Sequence, residues 1–84
     1  MPDKKSVIWS PDARSEMRAI DRETARRILH AIDQYLTTGV GDVIKLQPPR
    51  FEFRLRVGEY RVIFLIQTES IEVLHVRHRR EVYR

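Results

Sequence analysis

The chain has 84 residues, of which 42% are hydrophobic and 33% are charged, and it carries a formal net charge of +4 at pH 7. This length and composition predict a single domain over residues 1–84 and exclude a disordered chain. The basic balance favours an anionic partner, either nucleic acid or an acidic protein segment. The absence of cysteine excludes a disulfide framework and thiolate chemistry, and it fits a cytoplasmic location.

The apolar segments of the chain are too short for a membrane protein. The longest apolar run, residues 62–66, is far shorter than the length needed to span a bilayer. The N-terminus MPDKKSVIW lacks the apolar region of a signal peptide. We therefore expect no membrane partner.

The first half of the chain predicts a strand followed by two helices. Residues 7–9 are β-prone. Ser10 is suited to cap a helix over residues 11–20, with proline at its first position. Asp21 is suited to cap a second helix, in which apolar residues recur at helical spacing up to a stop at Gly39. The two helices are expected to form a hairpin packed on a sheet.

The second half of the chain predicts strands. Residues 43–46 form a possible short strand or lead-in, which Pro48-Pro49 interrupts because proline cannot donate to a ladder. The main strands follow in the order 51–57, 60–67 and 71–76. The arrangement β-α-α-β-β-β predicts an α+β fold, with an N-terminal helical hairpin packed on a four-stranded, mainly antiparallel sheet.

The segment FRLRVGEYRVIF predicts a β-hairpin with one apolar and one basic face, because residues 51–57 alternate between apolar and charged side chains. Gly58-Glu59 suits a two-residue type II′ loop. Such a loop sets the register by pairing residues 57 with 60, 56 with 61, 55 with 62, 54 with 63 and 52 with 65. Directly paired residues share a face. The basic face then carries Arg54, Arg56 and Arg61 with Glu52 at its edge, and the core face carries Phe53, Leu55, Val62 and Phe64.

Three arginines on one face of a small sheet favour an anionic ligand, because opposed like charges destabilise a strand pair. The planar five-donor fork of arginine is well shaped to grip phosphate. Arg61 shares this face with Arg54 and Arg56, so we expect its removal to relieve repulsion, to open no core cavity and to leave the fold intact. The alternative interpretation is a solvated basic face that Glu52, Glu59 or a partner protein neutralises.

The chain resembles the RelE/ParE superfamily of small bacterial toxins from type II toxin–antitoxin modules. The resemblance rests on the helical hairpin, the segment YLTTGVGDVIKL, the hairpin FRLRVGEYRVIF and the terminal HRREVYR, which together cover nearly the whole chain. The chain looks more like the RelE branch than the ParE branch. RelE-like toxins cut messenger RNA in the ribosomal A site, whereas ParE-like toxins share the fold and poison DNA gyrase without that nuclease chemistry.

The resemblance also implies roles for particular residues. RelE-like toxins place basic catalytic or phosphate-binding side chains at the hairpin positions of Arg54, Arg56 and Arg61. Arg79 matches the basic residue of the terminal motif, and Tyr83 matches its terminal tyrosine. Two departures stand out, since Glu52 falls where some relatives carry a catalytic lysine, and Arg77 falls where many have glycine. Arg77 and Arg79 therefore compete for one role.

The implied reaction needs neither metal nor cofactor, because the 2′-hydroxyl of RNA can attack the adjacent phosphodiester. It requires a base for that hydroxyl, cations for the charge that builds on the phosphate, and an acid for the leaving oxygen. Arginine stays protonated and is a poor base. Glu52 is therefore the candidate carboxylate base, or else an ion-pair partner of Arg54. His78 is a candidate for proton transfer, and His75 is expected to be a strand residue without a chemical role.

The resemblance thus implies a metal-independent mRNA interferase whose partners are a cognate antitoxin, the ribosome and mRNA. The antitoxin is expected to be small and acidic, and to wrap the toxin and mask its basic face. Two other functions stay open: a gyrase inhibitor on the same fold, and a nucleic-acid-binding or protein-binding module without nuclease activity. The glutamate at position 52 supports the last of these.

Overall fold

The computed structural model describes residues 5–82. Within this range the chain forms five strands and three helices in the order β-α-α-β-β-β-β-α. The elements are β1 (Ser6–Trp9), α1 (Pro11–Ala19), α2 (Arg22–Thr38), β2 (Asp42–Lys45), β3 (Phe53–Val57), β4 (Tyr60–Ile66), β5 (Ser70–His78) and α3 (Arg79–Val82).

All five strands join in one sheet with the order β1-β5-β4-β3-β2. The neighbours β2, β3, β4 and β5 pair antiparallel, and only β1 runs parallel to β5. A β-bulge between Ile63 and Phe64 shifts the β4–β5 register by one residue. In this strand order β4 is the central strand, and four of its residues are buried.

The two long helices begin where the sequence predicts, and α1 ends at Ala19, one residue before its predicted end. Ser10 caps α1 by accepting a hydrogen bond from the Ala13 N–H at 3.0 Å, and Asp21 caps α2 by accepting one from the Thr24 N–H at 3.0 Å. These contacts satisfy backbone donors that the first helical turn leaves open. α2 ends at Gly39, whose φ of +78° favours glycine because a side chain would be strained there.

The core lies between the two long helices and one face of the sheet. It contains Ala13, Ile28, Ile32, Leu55, Val62, Phe64, Ile71, Val73 and Val76. Phe64 lies in its centre, stacked on Phe53 and edge-on to Tyr35, with ring centroids 5.8 Å apart in both pairs. The opposite sheet face is therefore turned away from the helices, and it carries the charged residues of β3, β4 and β5.

The predicted α+β class is confirmed, but the sheet has five strands where the sequence predicts four. The extra strand is β2, which pairs with β3 at the sheet edge and coincides with the possible lead-in at residues 43–46. The peptide bond between Pro48 and Pro49 in the β2–β3 connection is cis. Among the residues that the structure describes, no helix is long and apolar enough to cross a membrane.

Candidate functional site

The candidate site is the sheet face turned away from the core, and we call it the basic face. It is defined by Arg54, Arg56, Arg61 and Arg77. Arg56 pairs directly with Arg61 on the next strand, and Arg61 pairs directly with Arg77 on the strand after it. Since paired residues share a face, three arginines from three adjacent strands form one row across the sheet. Asp42 pairs with Arg56 and extends the row to the β2 edge.

The predicted hairpin geometry is confirmed from residue 53 to residue 64. The pairs 57–60, 56–61, 55–62 and 54–63 all form as predicted. The loop has a positive φ of +55° at Gly58, and no non-glycine residue in the described range has a positive φ. A positive φ followed by a negative one agrees with a type II′ turn. Glu52 precedes β3, so the predicted 52–65 pair lies outside the observed ladder.

Arg61 is buried, with 4% of its surface exposed, and this burial argues against the expectation that its removal opens no cavity. Its Nη1 donates hydrogen bonds to the carbonyl oxygens of Gly58 and Tyr60, both at 2.9 Å. Its Nε is also buried and has no hydrogen-bond partner among residues 5–82. The side chain therefore folds back onto the β3–β4 loop and braces it.

Arg56 and Arg54 differ from Arg61 in their exposure. Arg56 is exposed and Arg54 is half-buried. Arg54 lies one row further along the face, paired with Ile63, which in turn pairs with His75. Arg56 is thus the residue of the row that presents its charge most openly to a ligand.

Glu52 forms an ion pair with Arg50, whereas the sequence analysis offers Arg54 as its partner. The Arg50 Nε lies 3.3 Å from the Glu52 Oε2. The backbone N–H of Glu52 itself, and then the charge of Arg50, hold the pKa of this carboxyl below its usual value. A general base works best when its pKa lies near the operating pH. This environment therefore favours charge balance over proton abstraction by Glu52.

The C-terminal basic residues occupy three different places. Arg77 lies on β5 within the arginine row. Arg79 begins α3, where its N–H donates to the Glu59 carbonyl at 2.7 Å and its Nε lies 3.4 Å from the Glu59 Oε2. α3 is thereby tied to the β3–β4 loop. Of the two competing arginines, Arg77 lies in the row and Arg79 lies beside the loop.

His78 lies on the other face of the sheet. It pairs with Tyr60, which packs against the core, and their ring centroids are 5.5 Å apart in an edge-on contact. Its Nδ1 accepts a hydrogen bond from the Arg80 N–H at 3.3 Å. The sheet therefore separates His78 from the arginine row. Tyr83, the last predicted site residue, lies outside the described residues.

Glu16 is a residue of this site that the sequence analysis missed. From α1 its Oε1 accepts a hydrogen bond from the Val76 N–H at 2.9 Å, and its Oε2 accepts one from the Arg77 Nε at 3.1 Å. The same carboxylate lies 3.4 Å from the His75 Nδ1. Its partners are about sixty positions away in the sequence, so no local motif points to it.

Metal-ligating side chains are not grouped in the described part of the chain. No cluster of three or more His, Cys, Asp or Glu residues that could hold a metal ion lies within residues 5–82.

Comparison with known proteins identifies the family and the fold. A family model described as the ParE toxin of the type II toxin–antitoxin system parDE matches residues 7–83. No curated protein sequence matches significantly. The archaeal RelE–RelB complex of Pyrococcus horikoshii contains a chain that is 25% identical, with a TM-score of 0.75 over 92% of this chain and 97% of that one.

Two bacterial structures share the fold at lower identity. The YoeB dimer of Staphylococcus aureus is 15% identical, with a TM-score of 0.75 over 90% of this chain and 98% of that one. The DinJ–YafQ complex of E. coli contains a chain that is 5% identical, with a TM-score of 0.76 over 98% of this chain and 100% of that one. The predicted RelE-like fold is confirmed. Because the family model spans residues 7–83, the chain belongs to the ParE toxin family of type II toxin–antitoxin systems, within the RelE/ParE superfamily.

Proposed function

We propose that this toxin is an mRNA interferase that cuts translated mRNA on the ribosome without a metal ion. In the proposed reaction the 2′-hydroxyl of one nucleotide attacks the adjacent phosphorus and the bond to the 5′-oxygen breaks. A base takes the hydroxyl proton, and an acid gives a proton to the leaving oxygen. The observation that carries the proposal is the row of Arg56, Arg61 and Arg77 on one face of the sheet.

The arginine row suits the charge that develops on the phosphate during this reaction. Fixed guanidinium groups stabilise such charge best when they are held in place before the reaction begins. Arg61 meets this condition because its own hydrogen bonds to the loop hold it. Arg54 and Arg56 are proposed to bind the RNA backbone, and Arg79 to contact it beside the loop. Tyr83 is proposed to stack on a base, as aromatic side chains do on single-stranded RNA.

The arrangement of the arginines in a row on one face of a sheet supports the proposed requirement for the ribosome. Such a row can grip phosphates but gives little control over the conformation of a flexible RNA strand. Holding the reacting groups in line can supply a large share of a rate enhancement. We propose that the ribosome provides this alignment. Action on ribosomes would take place in the cytoplasm. Residues 1–84 are proposed to work as one toxin domain.

The proposed partner in the resting cell is a cognate antitoxin. Several of the structural neighbours are toxin–antitoxin complexes, among them RelE–RelB and DinJ–YafQ. A groove of about 540 Å³ between β1, α1 and α2 would accommodate an apolar part of the antitoxin, and an acidic part would mask the basic face. The groove is lined by Trp9, Arg14, Met17, Arg18 and Leu29.

A translation assay tests the proposed function. Purified toxin is added to ribosomes that translate a defined mRNA. EDTA is present, at a concentration low enough to leave the magnesium that ribosomes need. The ends of the RNA products are then mapped. We expect cuts in codon register on translated mRNA and little cutting of the same RNA without ribosomes. Cuts that ignore translation, or no cuts at all by folded toxin, would overturn the proposal.

Inhibition of DNA gyrase is the second candidate function, and the match to a ParE toxin model favours it. A supercoiling assay with purified gyrase distinguishes the two. Gyrase-linked DNA breaks without mRNA cleavage would assign the chain to the second function. Neither activity, together with retained RNA binding, would leave a non-catalytic binding module.

A further inference from the structure

The outer edge of β5 changes its partner halfway along the strand. β1 pairs with β5 only from Ser70 to Val73, where Trp9 is the last residue of the parallel ladder. Beyond that point α1 takes the place of a strand. The Ser10 hydroxyl donates to the Leu74 carbonyl at 2.8 Å, and the Glu16 carboxylate accepts from the Val76 N–H at 2.9 Å. Glu16 therefore satisfies a backbone donor at an edge that no strand covers.

The second oxygen of Glu16 serves a different purpose, because it holds Arg77. The contact joins the Glu16 Oε2 to the Arg77 Nε at 3.1 Å, and the two side chains are 25% and 41% exposed. Among residues 5–82, Nε is the one donor of Arg77 that makes a side-chain hydrogen bond. The Nη1 and Nη2 nitrogens of Arg77 have no hydrogen-bond partner within residues 5–82, so the end of the guanidinium fork is available to an anion. A fork that a carboxylate already orients loses little freedom when it binds a phosphate.

We propose that Glu16 is a positioning residue of the RNA site, which fixes Arg77 at the α1 end of the arginine row so that its Nη donors face the phosphate. This inference rests on the proposed nuclease function. Glu16 touches no reacting atom and acts through Arg77, which pairs directly with the loop-braced Arg61. The row is therefore held at two points, by the β3–β4 loop at its centre and by α1 at one end.

The two roles of Glu16 can be separated by substitution. Glu16→Gln keeps an amide oxygen that accepts from the Val76 N–H, but it removes the charge that orients Arg77. Glu16→Ala removes both. The matched control is Glu23→Gln, which makes the same change of charge on the exposed side of α2, where Glu23 lies 3.6 Å from Arg27 in an exposed ion pair.

The experiment measures single-turnover mRNA cleavage on programmed ribosomes, binding of a short single-stranded oligoribonucleotide, and thermal melting. For Glu16→Gln we expect the melting temperature to stay within about 2 °C of the wild type, because the glutamine oxygen still accepts from the Val76 N–H and a partly exposed ion pair contributes little to stability. Cleavage should fall about 10–100-fold, since small misplacements of a catalytic contact have effects of that size. Oligoribonucleotide binding should hold or tighten, because one negative charge is lost beside the basic face.

Opposite changes in binding and in cleavage are not expected from a purely structural residue. Wild-type cleavage rates in Glu16→Gln, or equal losses in Glu16→Gln and Glu23→Gln, would overturn the inference. If the wild-type toxin cuts no mRNA, the proposed function fails by itself, and the NMR signal of the Arg77 Nε–H then decides the positioning role. A signal that shifts in Glu16→Gln and not in Glu23→Gln supports it, and an unchanged signal overturns it.

Discussion

The guanidinium of Arg61 donates a hydrogen bond to the carbonyl oxygen of Gly58 at 2.9 Å, across the loop that joins β3 and β4. Gly58 has a φ of +55°, so the loop depends on glycine for its backbone shape and on Arg61 for one of its hydrogen bonds. The loop also holds Arg79 through Glu59. A single buried arginine therefore supports the loop to which the C-terminal helix is tied.

Arg61→Ala is expected to lose both stability and activity. The substitution leaves the carbonyls of Gly58 and Tyr60 without their side-chain donor, which should lower the free energy of unfolding by about 1–3 kcal/mol. Loss of a charge-stabilising contact should reduce cleavage by about 10²–10³-fold. Urea unfolding measures the loss of stability. Cleavage measured separately, at a temperature where the variant is folded, gives the loss of activity alone.

Arg56→Ala is the matched control, because Arg56 pairs directly with Arg61 but is exposed. Its removal should change the free energy of unfolding by no more than about 0.5 kcal/mol, while RNA binding weakens. Equal destabilisation by both substitutions would contradict the bracing role of Arg61. Full activity of folded Arg61→Ala would remove Arg61 from the catalytic residues.

Glu52→Gln is expected to leave cleavage largely intact and to tighten RNA binding. Glu52 pairs with Arg50, and its pKa lies below the usual value, so the carboxylate balances charge and is a weak base at neutral pH. Removing the negative charge raises the net positive charge near the RNA. Single-turnover cleavage and the salt dependence of binding check this. A large loss of cleavage with unchanged binding would instead identify Glu52 as the general base.

Ser10→Ala is expected to destabilise the junction between α1 and β5 by about 1–2 kcal/mol. The Ser10 hydroxyl caps α1 at the Ala13 N–H and also donates to the Leu74 carbonyl. Ser15→Ala is the control, since it makes the same change at an exposed position of the same helix, where alanine is the better helix former. Urea unfolding curves measure both variants. Equal stability of the two would show that the junction does not depend on Ser10.

The cap of α2 predicts an acid-sensitive contribution to stability. Hydrogen bonds from Thr24 hold the pKa of Asp21 below its ordinary value of 3.8. A group with a lowered pKa in the folded state stabilises the fold above its unfolded pKa, and this contribution is lost as the pH falls through the folded pKa. Asp21→Asn keeps a capping oxygen and cannot titrate. Its melting temperature should therefore fall less steeply than that of the wild type below about pH 4, and parallel curves would contradict the prediction.

Most of the fold can be predicted from local sequence patterns, because helix caps and strand alternation depend on residues close together in the sequence. The caps at Ser10 and Asp21 and the stop at Gly39 define both long helices, and the alternation on either side of Gly58-Glu59 sets the hairpin register. β2 is the strand that the sequence predicts least well. It has four residues with a single half-buried member, Val43, so its pairing with β3 depends on tertiary contacts rather than on its own pattern.

The candidate site was less predictable, because the face of a strand residue does not determine its exposure. Alternation correctly predicts that Arg61 lies beside Arg56, yet the Arg61 side chain turns back to the loop and is buried. Glu16 could not be predicted, since only the packing of α1 on the edge of β5 brings it to Arg77. The alternation extends the strand back to residue 51, but β3 begins two residues later, so Glu52 lies before the strand and contacts Arg50.

Tyr83 gives the sharpest test of how the toxin holds a nucleotide, although it lies outside the described residues. Tyr83→Phe keeps a ring that can stack on a base and loses the hydroxyl, whereas Tyr83→Ala loses both. If stacking is the role, cleavage should survive in the phenylalanine variant and fall in the alanine variant by an amount equivalent to about 1–3 kcal/mol. Single-turnover cleavage on programmed ribosomes measures this. Comparable losses in both variants would instead assign the hydroxyl a part in proton transfer or hydrogen bonding, and wild-type rates in both would remove Tyr83 from the site.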